Sequence, residues 1–162
     1  MVRVAVLTVS DRSAVGERED RSGAILEEWA RQRGYDVCGR AVVSDDTVAI
    51  AGQLCRWADG GGVDVILTTG GTGLTARDVT PEATTAVLDR DAPGIAEALR
   101  SDARERVPTS VLSRGIAGVR GRTLIVNLPG SPGGARDGAA ALGPILDHAV
   151  ALLRGEPSGH DG

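Results

Sequence analysis

Apolar positions along the chain alternate between two rhythms. Residues 2–9 (VRVAVLTV) form a near-continuous aliphatic run, the pattern of a parallel strand buried on both faces. A polar loop over 10–20 follows. Ile25, Leu26, Trp29 and Ala30 then recur at helical spacing, with Gly34 as the stop. Residues 35–43 (YDVCGRAVV) predict a second strand. Asp45 or Asp46 can cap the next helix, whose apolar stripe is Val48, Ala51, Cys55 and Ala58 before Gly60-Gly61-Gly62 ends it. Residues 63–69 (VDVILTT) predict a third strand.

The second half is less regular. A glycine loop and a polar segment lead to Pro81, a favourable first helical residue after the N-cap candidate Thr80. Short helices are expected over 81–89 and 93–105. Residues 114–119 and 122–128 pair as a hairpin across Arg120-Gly121. A last helix over 134–154 carries Leu142, Ile145, Leu146, Ala149, Val150 and Leu153 on its apolar face, and Pro144 should kink or restart it. Residues 155–162 (GEPSGHDG) read as a flexible C-terminal tail. Strand, helix, strand, helix, strand implies right-handed crossovers. The expected fold is α/β, a three-layer sandwich of a mostly parallel sheet with helices on both faces and a short β-hairpin, in one domain over 1–154.

Composition removes several classes of function. The 162 residues are 41% hydrophobic and 25% charged, as in a folded globular chain. All 18 basic residues are Arg, which excludes a Schiff-base lysine and a Walker A lysine. The net charge of −4 offers no basic field for nucleic acid, and Trp29, Tyr35 and Trp57 make no base-stacking platform. No apolar run spans a membrane, and the opening Val-Arg-Val-Ala-Val-Leu is no signal peptide, so a cytoplasmic location is expected. Cys38 and Cys55 lie in apolar patterns and predict buried thiols. His148 in the last helix and His160 in the tail form no zinc-binding spacing.

In such sheets ligands bind beyond the carboxyl ends of the strands. Three polar clusters sit there: Ser10-Asp11-Arg12, Ser44-Asp45-Asp46 and the segment 68–82 (TTGGTGLTARDVTPE). Gly70, Gly71 and Gly73 allow the backbone to turn sharply, so that successive N–H groups form a nest for anionic oxygens. The helix N-terminus near Pro81 adds partial positive charge, and phosphate is the natural occupant. A plain flexible turn is the competing reading. Gly71-x-Gly73-x-x-Ala76 formally matches a dinucleotide fingerprint, yet 77–81 postpone the helix which that fingerprint should open at once. Asp45 and Asp78 end different strand-loop units. Two carboxylates beside a phosphate nest suit a Mg²⁺–nucleotide site, whereas a helix cap is the competing role for Asp45. Gly130 and Ser131 mark a second strand-to-helix junction, an anion site or merely a tight connection. Ser113-Arg114 offers a phosphate clamp or an ordinary surface pair.

TVSDR (8–12), VVSDD (42–46), TTGGTGLTARDVTPEAT (68–84), PGIAEALR (93–100), VLSRG (111–115) and LIVNLPGSP (124–132) together resemble the Mog/MoaB family of molybdenum-cofactor biosynthesis proteins, over nearly the whole chain. Ser44 stands where that family often has proline. The resemblance implies molybdopterin adenylyltransferase activity. AMP would pass from Mg-ATP to the terminal phosphate of molybdopterin, with release of pyrophosphate. It further implies a homotrimer, at times a hexamer, and a molybdate-insertion protein as downstream partner. The family's essential carboxylates correspond to Asp45 and Asp78, which would hold Mg²⁺ directly or through water. Its pterin-binding serine corresponds to Ser113, with Arg114 beside it. Gly70, Gly71, Thr72 and Gly73 would cradle phosphate, and Gly130 and Ser131 would line the same cleft. A non-catalytic molybdopterin-binding scaffold and a nucleotide pyrophosphatase are the alternatives.

Overall fold

The computed structural model describes residues 1–157. Its elements in chain order are β1 (Arg3–Val9), α1 (Asp11–Ala14), α2 (Arg21–Gln32), β2 (Asp36–Val43), α3 (Thr47–Asp59), β3 (Val65–Thr69), α4 (Thr80–Val87), β4 (Arg90–Asp91), α5 (Pro93–Arg104), a 3-10 turn (Pro108–Leu112), β5 (Ala117–Arg120), β6 (Thr123–Leu128) and α6 (Pro132–Arg154). The strands form one sheet in the order β2-β1-β3-β6-β5-β4. The β2–β1, β1–β3 and β3–β6 pairs are parallel, and β5 pairs antiparallel with both β6 and β4.

Strand periodicity divides the interior into two cores. Val4, Val6, Val65, Leu67, Leu124 and Val126 face one way, against Leu26 and Ala30 of α2 and Ala139, Leu142 and Leu146 of α6. Ala5, Leu7, Val9, Ile66 and Ile125 face the other way, against Ile50 and Leu54 of α3 and Ala83 and Val87 of α4. Alternate residues of β1 thus feed both layers, which is why Val4, Ala5, Val6 and Leu7 run without a polar interruption. The central strands β3 and β6 are buried along their whole length.

Several expectations change. The segment 10–20 contains a turn of helix, α1, because Ser10 caps it by accepting from the Ser13 N–H. Thr80 is the first helical residue of α4 rather than its cap; Val79 occupies the cap position, and the Thr80 hydroxyl donates to the Gly70 carbonyl at 2.9 Å. Val48 is exposed, and the buried face of α3 is Ile50, Leu54 and Ala58. The apolar stripe is therefore rotated from the expected one, with Ala51 and Cys55 on its flank. Helix α6 begins at Pro132, because Ser131 supplies the cap, accepting from the Gly134 N–H, and it continues through Pro144 to Arg154. The short β4 carries no apolar signal, and the hydrophobic pattern does not predict it. Residues 158–162, including His160, lie outside the described residues.

Cys38 is exposed and Cys55 half-buried, contrary to the expectation of two buried thiols. The alternation of β2 explains Cys38, which shares the exposed positions with Asp36, Arg40 and Val42 while Val37, Gly39, Ala41 and Val43 are half-buried. Val4 pairs with Val37 but Ala5 pairs with Gly39, so Cys38 is an extra residue on the edge strand. Such a bulge makes an open edge a poorer template for another strand.

The sheet is fastened at the end opposite the glycine loop. Asp64, nearly buried, accepts from the Arg3 backbone N–H at 2.8 Å and from Arg154 Nη2 at 2.7 Å. Burial alone would raise its pKa, but the hydrogen bonds from Arg154 and Arg3 outweigh this and lower it to about 2. No helix among the described residues is long and apolar enough to cross a membrane.

Candidate active site

The strand order changes direction around β1: the chain goes from β1 to β2 on one side and returns to β3 on the other. A crevice therefore opens beyond the carboxyl ends of β1 and β3. It holds a polar cavity of about 810 Å³ lined by Thr8, Ser10, Asp45, Thr69, Gly70, Gly71, Asp78, Gly130 and Ser131, with Arg18 and Arg21 on the wall formed by the α2 entry.

The glycine loop forms the floor. Gly70 and Gly71 have φ of +100° and +69°. A Cβ on Gly70 would lie 2.2 Å from the Val9 carbonyl oxygen, so a side chain is excluded by both conformation and space. The Gly70 N–H donates to the Leu128 carbonyl at 3.2 Å, which ties the loop to the end of β6. The Thr69 hydroxyl donates to the Pro129 carbonyl at 2.7 Å, a second tie between the same two strand ends. Among the described residues, the backbone N–H groups of Gly71, Gly130 and Ser131 find no backbone acceptor. Those donors, with the N-terminus of α6, make the floor receptive to anionic oxygens.

Two carboxylates stand over this floor. Asp45 Oδ2 accepts from the Asp11 N–H at 2.9 Å, and Asp78 Oδ2 accepts from the Thr75 N–H at 3.0 Å and hydroxyl at 2.8 Å. Asp46, not Asp45, caps α3 by accepting from the Ala49 N–H. Among the described residues, none donates a hydrogen bond to Oδ1 of Asp45 or Oδ1 of Asp78, which leaves one hard oxygen on each. That donor set suits Mg²⁺, which keeps several waters and takes one or two carboxylates. Burial raises the pKa of Asp45, and the charges of Asp11 and Asp78 add to the effect. A bound cation would offset this cost. Arg77 does not point its charge into the cavity; its guanidinium grips the Asp11 carboxylate at 2.8 and 3.0 Å.

A second, largely apolar cavity of about 360 Å³ adjoins the first and shares Ser131 with it. Ala96, Leu99 and Arg100 of α5 line it, with Ser113, Asn127 and Gly134. Asn127 is a buried hub there. Its amide donates to the Thr68 and Thr84 hydroxyls, both at 3.0 Å, and its carbonyl accepts from the Ile116 N–H at 3.2 Å. The Ser113 hydroxyl accepts from the Gly115 N–H at 3.3 Å, which leaves its own proton available to a ligand.

The profile of the family described as "Probable molybdopterin binding domain" matches residues 5–148. The chain belongs to that family. It is 36% identical over 156 residues to a molybdopterin adenylyltransferase of Helicobacter pylori, covering 95% of this chain and 89% of the relative. It is 43% identical over 130 residues to the molybdenum cofactor biosynthesis protein B of Escherichia coli, covering 80% and 75%. Among solved structures it is similar to the molybdopterin biosynthesis enzyme MoaB of Thermus thermophilus, with a TM-score of 0.91, 49% identity and coverage of 97% and 99%.

Within this molybdopterin-binding fold, the structure brings Asp45, Asp78, Gly70, Gly71, Gly130 and Ser131 around one cavity and puts Ser113 in the next. Thr72 and Gly73 do not line the polar cavity; their carbonyls accept from Arg114, at 2.8 Å each. Arg114 spends its guanidinium on protein partners rather than on either cavity. Sequence reasoning meets Asp11 only as a member of a polar cluster, and it assigns Arg77, Arg100 and Asn127 no place in a site. Of these, Asn127 carries a signal, an amide in the middle of the apolar strand LIVNL.

Proposed function

We propose that this chain is a molybdopterin adenylyltransferase. The observation that carries the reading is a polar cavity with two half-committed carboxylates over a glycine floor, joined through Ser131 to an apolar pocket. The polar side suits a triphosphate, and the apolar side, with Ser113 and Asn127, suits a heterocycle with a polar edge.

The reacting atoms would meet at Ser131, on the N-terminus of α6. The terminal phosphate of molybdopterin attacks the α-phosphorus of ATP. A new P–O bond forms, the bond between the α-phosphorus and its bridging oxygen breaks, and pyrophosphate leaves with the electron pair. A phosphate monoester has a second pKa of about 6 and is largely ionised at neutral pH, so no general base is required. None of the residues lining the polar cavity is a histidine. The main obstacle is repulsion between anions. The free N–H groups of Gly71, Gly130 and Ser131 are fixed before substrate arrives, and so stabilise phosphate charge without reorganising. Asp45 and Asp78 would hold Mg²⁺, directly or through water, and bound there it neutralises phosphate charge. Arg18 and Arg21 line the same cavity, where they would offset the charge of the departing pyrophosphate.

The protein would act in the cytoplasm as a homotrimer, with a hexamer as the variant assembly, and pass adenylyl-molybdopterin to a molybdate-insertion protein. Val107, Val111 and Leu112 present an exposed apolar surface beside the Ser113 segment, consistent with assembly near the site. A monomer by light scattering at micromolar concentration contradicts the trimer. The activity is tested by incubating molybdopterin, ATP and Mg²⁺ with the protein and separating adenylyl-molybdopterin by chromatography. Bound pterin without product would assign the chain to the scaffold class instead.

A further inference from the structure

Arg114 clasps the loop that carries Asp78. Its backbone N–H donates to the Thr72 carbonyl at 2.8 Å, Nε to the Gly73 carbonyl at 2.8 Å and Nη2 to the Asp78 carbonyl at 2.7 Å. Nη1 pairs with the Glu82 carboxylate in the first turn of α4. One planar fork therefore spans both ends of the 73–78 loop and the helix that follows it. A lysine, with one compact ammonium, cannot reach these acceptors together. The neighbouring residue, Ser113, lines the apolar cavity, and Arg100 holds its segment from the other side, donating to the Ser113 and Gly115 carbonyls at 3.3 and 2.7 Å.

We propose that Arg114 is a positioning residue that locks the Asp78 loop to the Ser113 segment, so that the walls of the two cavities hold one fixed separation. The proposal rests on the adenylyltransferase reading for its catalytic consequence, but the lock itself is a property of the free protein. Arg114 acts through the loop: its guanidinium is engaged with Gly73, Asp78 and Glu82, and it lines neither cavity. In-line transfer between two separately bound substrates depends on the distance between their sites. A displacement of the order of 1 Å costs about 100-fold in rate.

The test compares the wild type with Arg114→Ala, Arg114→Lys and Glu82→Gln. Hydrogen–deuterium exchange of the free protein reads the loop without any substrate. Initial rates and molybdopterin affinity are measured separately. In Arg114→Ala the amides of Thr75, Asp78 and Thr80 should exchange about tenfold faster while those of β1 and β3 stay unchanged. The kcat should fall about 100-fold with molybdopterin affinity nearly constant. Arg114→Lys should recover little, and Glu82→Gln, which keeps the two carbonyl contacts, should lose less than Arg114→Ala.

Loss of molybdopterin affinity with unchanged loop exchange would make Arg114 a ligand contact and overturn the proposal. Faster loop exchange with normal kcat would overturn it equally, since the lock would then serve no catalytic purpose. If Arg114→Ala exchanges globally, Glu82→Gln decides by the same two criteria. A wild type that binds both substrates and forms no product refutes the adenylyltransferase reading, and the exchange data then decide the lock on their own.

Discussion

Asp11 and Asp45 cap each other. The Asp11 N–H donates to Asp45 Oδ2 and the Asp45 N–H donates to Asp11 Oδ1, both at 2.9 Å. The loops after β1 and β2 are thereby joined across the mouth of the crevice. Arg77, from the loop after β3, adds a two-pronged contact to the same Asp11 carboxylate. Three strand ends thus converge on Asp11, which holds Asp45 with its other oxygen uncommitted. Asp11→Ala is expected to reduce adenylyl transfer about tenfold or more through a misplaced Asp45. Asp11→Asn keeps an oxygen for the Asp45 N–H and should lose less. Steady-state rates of the two variants, with circular dichroism as a check on folding, decide this; equal and small losses would refute it.

Asp78→Asn and Asp45→Asn each remove one charged oxygen but preserve shape. In the first variant the new amide oxygen can still accept from Thr75, and in the second it can still accept from the Asp11 N–H. Both proteins should fold and bind molybdopterin. Their kcat should fall by at least about 100-fold, the scale seen when a fixed electrostatic partner of a transition state is removed. Wild-type turnover by either one removes that carboxylate from the site.

The layered fold was legible because β1 and β3 obey a simple rule: both faces are covered, so both strands are dominated by aliphatic residues, with polar Thr8, Thr68 and Thr69 toward their carboxyl ends. The glycine segment was legible for a similar reason, since its conformation admits few other residues. Val48 misled because it falls on the same helical spacing as Ala51 and Cys55. What decides the face of α3 is Ile50 and Leu54, the larger side chains, which the sheet accepts instead. Cys38 misled because its apolar neighbours suggested burial, although it alternates with Asp36 and Arg40 on the exposed positions of β2. The partners of Arg114 and Arg77 lie 32 to 66 residues away in the chain, and such pairings carry no local signal. Arginine after a serine therefore reads equally well as a phosphate clamp, although this one is spent on the fold.

Gly71 offers a comparison of conformation with contact. It has φ of +69°, and a Cβ there would lie 2.2 Å from Thr80 Oγ1, the group that donates to the Gly70 carbonyl. Gly34 has φ of +77° with open space around it. Gly34→Ala should cost only the left-handed conformation, about 1–2 kcal/mol. Gly71→Ala should cost this and in addition the displaced Thr80 contact, roughly 1 kcal/mol more. Urea unfolding of both variants measures the difference. Equal destabilisation would show that Thr80 yields without loss.

Asp64 predicts how stability responds to acid. Its pKa in the folded protein is about 2, below the ordinary aspartate value, because Arg154 and Arg3 more than compensate for burial. A carboxyl with a depressed folded pKa stabilises the protein at pH above its unfolded value and loses that contribution as pH falls toward the folded one. The contribution of Asp64 is therefore complete above about pH 4–5 and decays toward pH 2, by about 2 kcal/mol in total. Asp11, Asp59 and Glu82 also have lowered pKa values, through Arg77, Arg120 and Arg114 respectively, so the wild-type curve alone does not isolate Asp64. The difference between the wild type and Asp64→Asn does, because the other carboxylates titrate in both. At pH 7 the variant should be less stable by roughly 2–4 kcal/mol, since Arg3 and Arg154 lose a nearly buried anion. That gap should narrow by about 2 kcal/mol between pH 5 and pH 2 in denaturant titrations. A gap that stays constant across this range would mean that Asp64 titrates as an ordinary aspartate and that the two arginines hold the end of the sheet by packing alone.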